Sequence, residues 1–188
     1  MRCGLSPALG SQRMKKTVGT VQVYTGGGKG KTTAALGLAL RALGHGRKVL
    51  FLQFMKGSRR YGEVRMARNL PGLDVLQYGR TCFVCREKPD PKDVALAQRG
   101  LRKARQAVLG RQYDLIVLDE INVAMDYGLI DSKDVLALLD AKPEETEIVL
   151  TGRHAPPSIR RRADLVSEIR EVKHPWRRRL AARPGVEF

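Results

Sequence analysis

The nine residues TGGGKGKTT, Thr25 to Thr33, constrain this chain more than any others. They follow an apolar run, VGTVQVY (Val18 to Tyr24), that reads as a strand. They precede an alanine- and leucine-rich stretch, AALGLALRALG (Ala34 to Gly44), that reads as a helix beginning near Thr32. Strand, glycine loop and helix in that order are the context in which a phosphate-loop pattern carries structural meaning. Glycines allow backbone conformations closed to residues with a Cβ, so successive N–H groups can converge on an anion. Lys31 adds a mobile positive charge, and the helix N-terminus adds its dipole. Thr32 offers a hydroxyl where the Mg²⁺ of a nucleoside triphosphate would sit. Gly26, Gly27, Gly28, Lys29, Gly30, Lys31, Thr32 and Thr33 are therefore the candidate nucleotide-binding residues. The strict pattern GxxxxGK[ST] asks for glycine at position 25, where this chain has threonine.

Downstream, apolar runs alternate with amphipathic stretches. VLFLQF (Val49 to Phe54) reads as a parallel strand buried on both faces. The loop after it, with Lys56 and the polar stretch Ser58 to Glu63, faces the same crevice as the phosphate loop, because ligands of open α/β sheets sit beyond the carboxyl ends of strands. A short helix is expected over Val64 to Asn69, a strand over Leu73 to Gly79, and a helix with a basic outer face over Lys92 to Gly110. YDLIVLDEI (Tyr113 to Ile121) is a strand ending in two carboxylates, Asp119 and Glu120. An acid there can hold Mg²⁺ directly or through water, the usual partner of a phosphate loop. A short helix carries Asn122 and Asp126, a longer one covers Asp131 to Asp140, and EIVLTGR (Glu147 to Arg153) is a fifth strand. A helix over Pro157 to Arg162 and a last strand over Ala163 to Val172 precede a basic tail with the only tryptophan, Trp176. The spacings fit βαβ units. The expected fold is α/β, a doubly wound, mainly parallel sheet of five or six strands of the RecA-like phosphate-loop type, in a single domain over residues 18–188.

Composition adds limits rather than chemistry. The 188 residues suit one domain with a core that needs neither disulfide nor metal. Net charge is +16, with 23 Arg against 12 Lys. That excess suits an anionic partner such as nucleic acid, a membrane surface or a polyphosphate, and a general bias toward Arg explains it equally well. Cys3, Cys82 and Cys85 make no disulfide framework, and the C-x-x-C pair lacks the second pair of ligands that a structural zinc needs. No run of about 18 apolar residues spans a membrane. The first 17 residues read as a mobile basic leader without the apolar segment of a signal peptide, and Met14 is an alternative start. A cytoplasmic location is expected.

Several motifs occur together and in order: TGGGKGKTTAALGLALRALGHG, QFMKG, the pair Gly62–Glu63, YDLIVLDEINVAMDYGLI, VLTGRHAP, ADLVSEI, VKHPW and the terminal GVEF. In this combination the chain, from about Val18 to Phe188, resembles the ATP:cob(I)alamin (corrinoid) adenosyltransferase family. Thr25 is what that family carries at its phosphate loop. The resemblance implies transfer of the 5′-deoxyadenosyl group of ATP to the Co(I) of a reduced corrinoid, with release of triphosphate. It implies ATP held reversed in the loop, so that the ribose C5′ rather than the γ-phosphate faces the second substrate. Lys31 and Glu120 would be the catalytic residues, and Thr32, Asp119 and Glu120 would hold Mg²⁺ or Mn²⁺. An electron donor for the cobalt and a homodimer are further implied partners, with no membrane and no nucleic acid.

The family covers the lower face of the corrinoid with an aromatic side chain that excludes the axial ligand and favours the reduced metal. The matching loop here is GRTCFV (Gly79 to Val84), so Phe83 is the expected corrinoid contact, together with Arg153. This loop lacks the neighbouring tryptophan that some members carry. Phe83 as a core anchor for its loop is the alternative, and Trp176 or Tyr61 would then be the candidates for the lower face. Two other function classes stay open on the residues alone. One is a phosphate-loop ATPase or kinase using Glu120 to activate water, and the other is a nucleotide-switched nucleic-acid-binding protein. Complete cobalamin and an early corrinoid intermediate fit the sequence equally well.

Overall fold

The computed structural model describes residues 18–188. The expected leader and the Met14 start lie outside the described residues, and so does the side chain of Trp176. Six strands form: β1 (Val21–Thr25), β2 (Val49–Phe54), β3 (Leu73–Tyr78), β4 (Leu115–Asp119), β5 (Glu147–Thr151) and β6 (Leu165–Glu168). They make one sheet in the order β3-β2-β4-β5-β1-β6, and all five neighbouring pairs are parallel. Helices α1 (Lys31–Gly44), α2 (Gly62–Met66), α3 (Pro91–Gly110), α4 (Ile121–Asp126), α5 (Ser132–Asp140) and α6 (Pro157–Arg162) connect them. Among the described residues no helix is long and apolar enough to cross a membrane.

The period of two along β2 explains why both sheet faces are covered. Leu50, Leu52 and Phe54 point to one side, where they pack with Ala97, Leu101 and Ala104 of α3 and with Val135 and Leu139 of α5. Val49 and Phe51 point to the other, where Ala35 and Ala39 of α1 meet Val117 and Val149. Each fully buried Leu, Val or Phe contributes about 1.5–3 kcal/mol relative to exposure, so the central strands carry most of the apolar stabilisation. Local chemistry sets the helix starts. Asp90 accepts from the Lys92 N–H at 2.8 Å ahead of Pro91, and Asp131 accepts from the Lys133 N–H at 2.8 Å.

Several element boundaries differ from the sequence reading. β1 starts at Val21 and takes in Thr25. The helix expected over Val64 to Asn69 is two pieces, α2 and a 3₁₀ turn over Ala67–Asn69. Leu70 is extended (φ −114°, ψ 98°), as a residue before proline prefers, and this ends the helical path. The last strand is four residues rather than the span Ala163 to Val172. Past Glu168 the chain leaves the sheet edge and lies against the phosphate loop, where the Gly28 N–H donates to Ile169 O at 2.8 Å.

Candidate active site

The carboxyl ends of β1, β2, β4 and β5 converge on one cleft of about 550 Å³. Its walls include the loop and first turn from Gly28 to Thr33, Lys56, Tyr61, Glu63, Glu120 and Arg153. Gly26 is in the left-handed region at φ 97°, and a Cβ there would stand 2.4 Å from Ile169 O. A Cβ on Gly28 would stand 2.8 Å from the Arg170 backbone. The loop needs glycine at these two points because the segment after β6 is pressed against it. Thr25 needs none: it ends β1 in extended backbone, buried, with its Oγ1 accepting from the Ala155 N–H at 3.2 Å. The threonine that breaks the strict pattern thus ties β1 to the loop after β5.

Lys31 opens α1, and its Nζ donates to Gly26 O at 2.8 Å and Gly28 O at 2.6 Å. Burial holds its pKa below the ordinary lysine value and Arg153 pushes the same way, against Glu120 and Asp119. Thr32 donates its hydroxyl to Asp119 Oδ1 at 2.8 Å. Asp119 is fully buried at the end of β4 and its other oxygen, Oδ2, receives Lys56 Nζ at 2.7 Å. Glu120 turns away through a left-handed backbone (φ 63°, ψ 14°), a conformation costing a non-glycine residue about 1–2 kcal/mol. That turn sends consecutive carboxylates in different directions, Asp119 to the strand ends and Glu120 into the cleft. Burial, then the charge of Asp119, raises the Glu120 pKa, opposed by Lys56, Lys31 and Arg153.

The sequence-derived set from Gly28 to Thr33, with Glu120 and Arg153, is therefore assembled in one place, and Asp119 lies directly beneath it. Phe83 is not in the cleft. It is fully exposed on the loop after β3, which excludes it as a core anchor. Both ends of that loop are strapped: Arg80 pairs with Asp90 at 2.9 Å and Asp93 at 2.6 Å, and Arg86 pairs with Asp126 at 3.0 Å. Cys82 and Cys85, beside Phe83, are exposed thiols.

Four groups at the site escaped the sequence reading. The sequence puts Lys56 on a loop facing the crevice, and its pairing with Asp119 is a matter of tertiary contact. Thr151 bridges β5 to β4, donating to Asp119 Oδ1 at 2.7 Å and accepting the Glu120 N–H at 3.0 Å. Gln53 is fully buried at the end of β2 and donates to Glu63 at 2.8 Å, while Gln77 donates to Gln53 Oε1 at 3.0 Å. A single glutamine next to the end of an otherwise apolar strand is the available signal. Finally, Gly185 to Phe188 line the cleft, and Lys29 Nζ donates to Val186 O at 3.1 Å.

A divalent cation fits this donor set. The Thr32 hydroxyl and the Asp119 and Glu120 carboxylates are hard oxygen ligands, and a cation, the Lys56 ammonium, already stands 2.7 Å from Asp119 Oδ2 and 3.4 Å from Thr32 Oγ1. Among the described residues no cluster of three or more His, Cys, Asp or Glu could hold a metal unaided. A metal here would depend on phosphate oxygens of a bound nucleotide for the rest of its shell.

A family model described as ATP:corrinoid adenosyltransferase BtuR/CobO/CobP matches residues 17–188. The chain is 36% identical over 170 residues to a corrinoid adenosyltransferase of Pseudomonas aeruginosa, covering 90% of this chain and 84% of that protein. It is 38% identical over 173 residues to one from Sinorhizobium sp, covering 90% and 80%. It is 35% identical over 172 residues to one from Escherichia coli K12, covering 90% and 86%. With a phosphate loop, its paired carboxylates and a match over the whole described fold, the chain belongs to the ATP:corrinoid adenosyltransferase family.

Proposed function

We propose that this chain transfers the 5′-deoxyadenosyl group of ATP to the Co(I) of a reduced corrinoid, with triphosphate as the leaving group. The observation that carries this reading is the gathering of Lys31, Lys56 and Arg153 around Glu120 and the glycine loop in one cleft. In the reaction Co(I) supplies the electron pair of the new Co–C5′ bond. The C5′–O bond breaks, and its pair leaves on the triphosphate. No proton moves, so the site must position the reactants and neutralise growing charge rather than supply a general base.

Gly26 to Gly30 would wrap the triphosphate, with Lys31 leaving its two carbonyl partners to neutralise it. A divalent cation held by Thr32, Asp119 and Glu120 would add to that neutralisation. Arg153, on the cleft wall, would contact the corrinoid or the phosphates. Phe83 would meet the lower corrinoid face, a role supported by an apolar ring that is fully exposed among the described residues while its loop is strapped at both ends. A homodimer and an external electron donor complete the reading. The exposed edge strand β6, with Leu165 and Val166 open to solvent, suits contact with a second chain.

The test is to incubate the protein with ATP, Mg²⁺ and chemically reduced cobalamin. The expected products are a light-sensitive cobalt–carbon compound and triphosphate in equal amounts. ADP or inorganic phosphate instead would move the protein to the ATPase class.

A further inference from the structure

Lys56 lies outside the phosphate-loop pattern, yet its ammonium pairs directly with the buried acid of the site. Its Nζ is 2.7 Å from Asp119 Oδ2, 3.4 Å from Thr32 Oγ1 and 5.6 Å from the centre of the Tyr61 ring. Thr32 and Asp119 are also two of the three groups suited to a divalent cation. An ammonium and a divalent cation repel each other at contact distance, so the two compete for Asp119 Oδ2. One must give way.

The backbone beneath Lys56 is fixed. Met55 is left-handed (φ 58°), and its N–H donates to Tyr78 O at 3.1 Å. A Cβ on Gly57 would stand 2.3 Å from Gly79 O, and one on Gly79 would stand 2.3 Å from Lys56 N, so the two loops touch backbone to backbone. Only the flexible four-carbon arm can move, and it reaches into the cleft that Lys31, Arg153 and the glycine loop surround.

We propose that Lys56 is an exchangeable counter-cation of the nucleotide site: it holds Asp119 and Thr32 against free metal, and moves onto the phosphates when a metal–triphosphate complex takes its place. Metal and nucleotide then enter together, and the lysine becomes a phosphate contact instead of an obstacle. This inference rests on the reading of the cleft as a triphosphate site.

The test uses the full chain and Mn²⁺ as a paramagnetic probe, titrated with and without ATP and followed by electron paramagnetic resonance. Lys56→Met and Lys56→Gln should bind Mn²⁺ alone about 10-fold or more tightly than wild type, because the competing charge is gone. The same variants should bind Mn²⁺–ATP about 10-fold more weakly, having lost a charged hydrogen bond to phosphate. Opposite shifts from one substitution are the signature. Unchanged Mn²⁺ affinity, or weakening in both titrations, would overturn the proposal and leave Lys56 as a fixed partner of Asp119. Should neither variant fold, the wild type still tests the exchange: binding of Mn²⁺ that is equally tight with and without inorganic triphosphate overturns it. Adenosyl transfer by the wild type, run alongside, separates the two readings. Transfer without opposed shifts sinks only this inference, and opposed shifts without transfer sink only the enzymatic reading.

Discussion

The Thr151 hydroxyl donates to Asp119 Oδ1 at 2.7 Å across the junction of two neighbouring strands, and accepts the Glu120 N–H at 3.0 Å. Because β5 lies between β1 and β4, this one side chain braces the carboxylate pair from the strand next door to the phosphate loop. Thr151→Val keeps the shape and removes both bonds. Each buried group left unsatisfied costs about 1–3 kcal/mol. Thermal denaturation should show a fall of about 2–4 °C for each kcal/mol in a chain of this size, with weaker adenosyl transfer. Wild-type stability and turnover in this variant would remove the bridge from the account of the site.

Lys31→Ala removes the ammonium aimed at the loop, and transfer should fall by about 10²–10³ or more, as when a transition-state donor is lost. Glu120→Gln should also lose transfer, and the wild type should show no ATP hydrolysis for this variant to abolish. Product analysis by anion-exchange chromatography checks both. Robust phosphate release by the wild type that vanishes in Glu120→Gln would instead favour a water-activating acid.

The loop glycines differ in what they tolerate. Gly26→Ala meets Ile169 O at 2.4 Å in a left-handed backbone, whereas a Cβ on Gly27 meets nothing within 4 Å. Gly26→Ala should cost at least about 1–3 kcal/mol from backbone strain alone. Gly27→Ala should stay within about 0.5 kcal/mol of wild type. Urea denaturation of the two variants side by side measures the contrast, and equal stabilities would mean that the Ile169–Arg170 wall does not press on the loop.

Phe83→Ala tests the exposed ring as a corrinoid contact. The ring is fully exposed, so the melting temperature should not move. Transfer should drop far more when the corrinoid is supplied as Co(II) with a mild reductant than when it is supplied as Co(I). ATP affinity should hold, since the phosphate loop is untouched. Equal losses in the two assays would send the search for the lower-face group to Tyr61 or Trp176.

Tyr113 reports on alkaline stability. Its hydroxyl donates to Asp74 Oδ2 at 2.7 Å, and burial, then Asp74, pushes its pKa from 10.0 up to about 12. The folded chain therefore keeps a proton that the unfolded chain releases. Its contribution is whole below pH 10 and is lost as the pH rises toward about 12. Tyr113→Phe should start less stable and then decline less steeply over that window in a pH series of urea melts. Parallel declines would place the hydroxyl in free exchange with water.

The sequence alone determined the elements and the loop. The Thr25–Thr33 run, the apolar strand VLFLQF and the LDEIN turn all rest on local properties: glycine freedom, a period of two, and acids at a strand end. Those properties act over a few residues, so they can be read along the chain. Tertiary structure decided the rest. Strand order brings β5 between β1 and β4, and only that placement joins Thr151, 31 positions from Glu120, to the carboxylate pair. The pairing of Lys56 with Asp119, 63 positions apart, has no local signature, because any lysine on a crevice loop reads the same. The wall that Ile169 and Arg170 raise against Gly26 and Gly28 likewise depends on where β6 ends. Such contacts come from the packing of distant segments, and side-chain burial is settled by that packing, not by residue type.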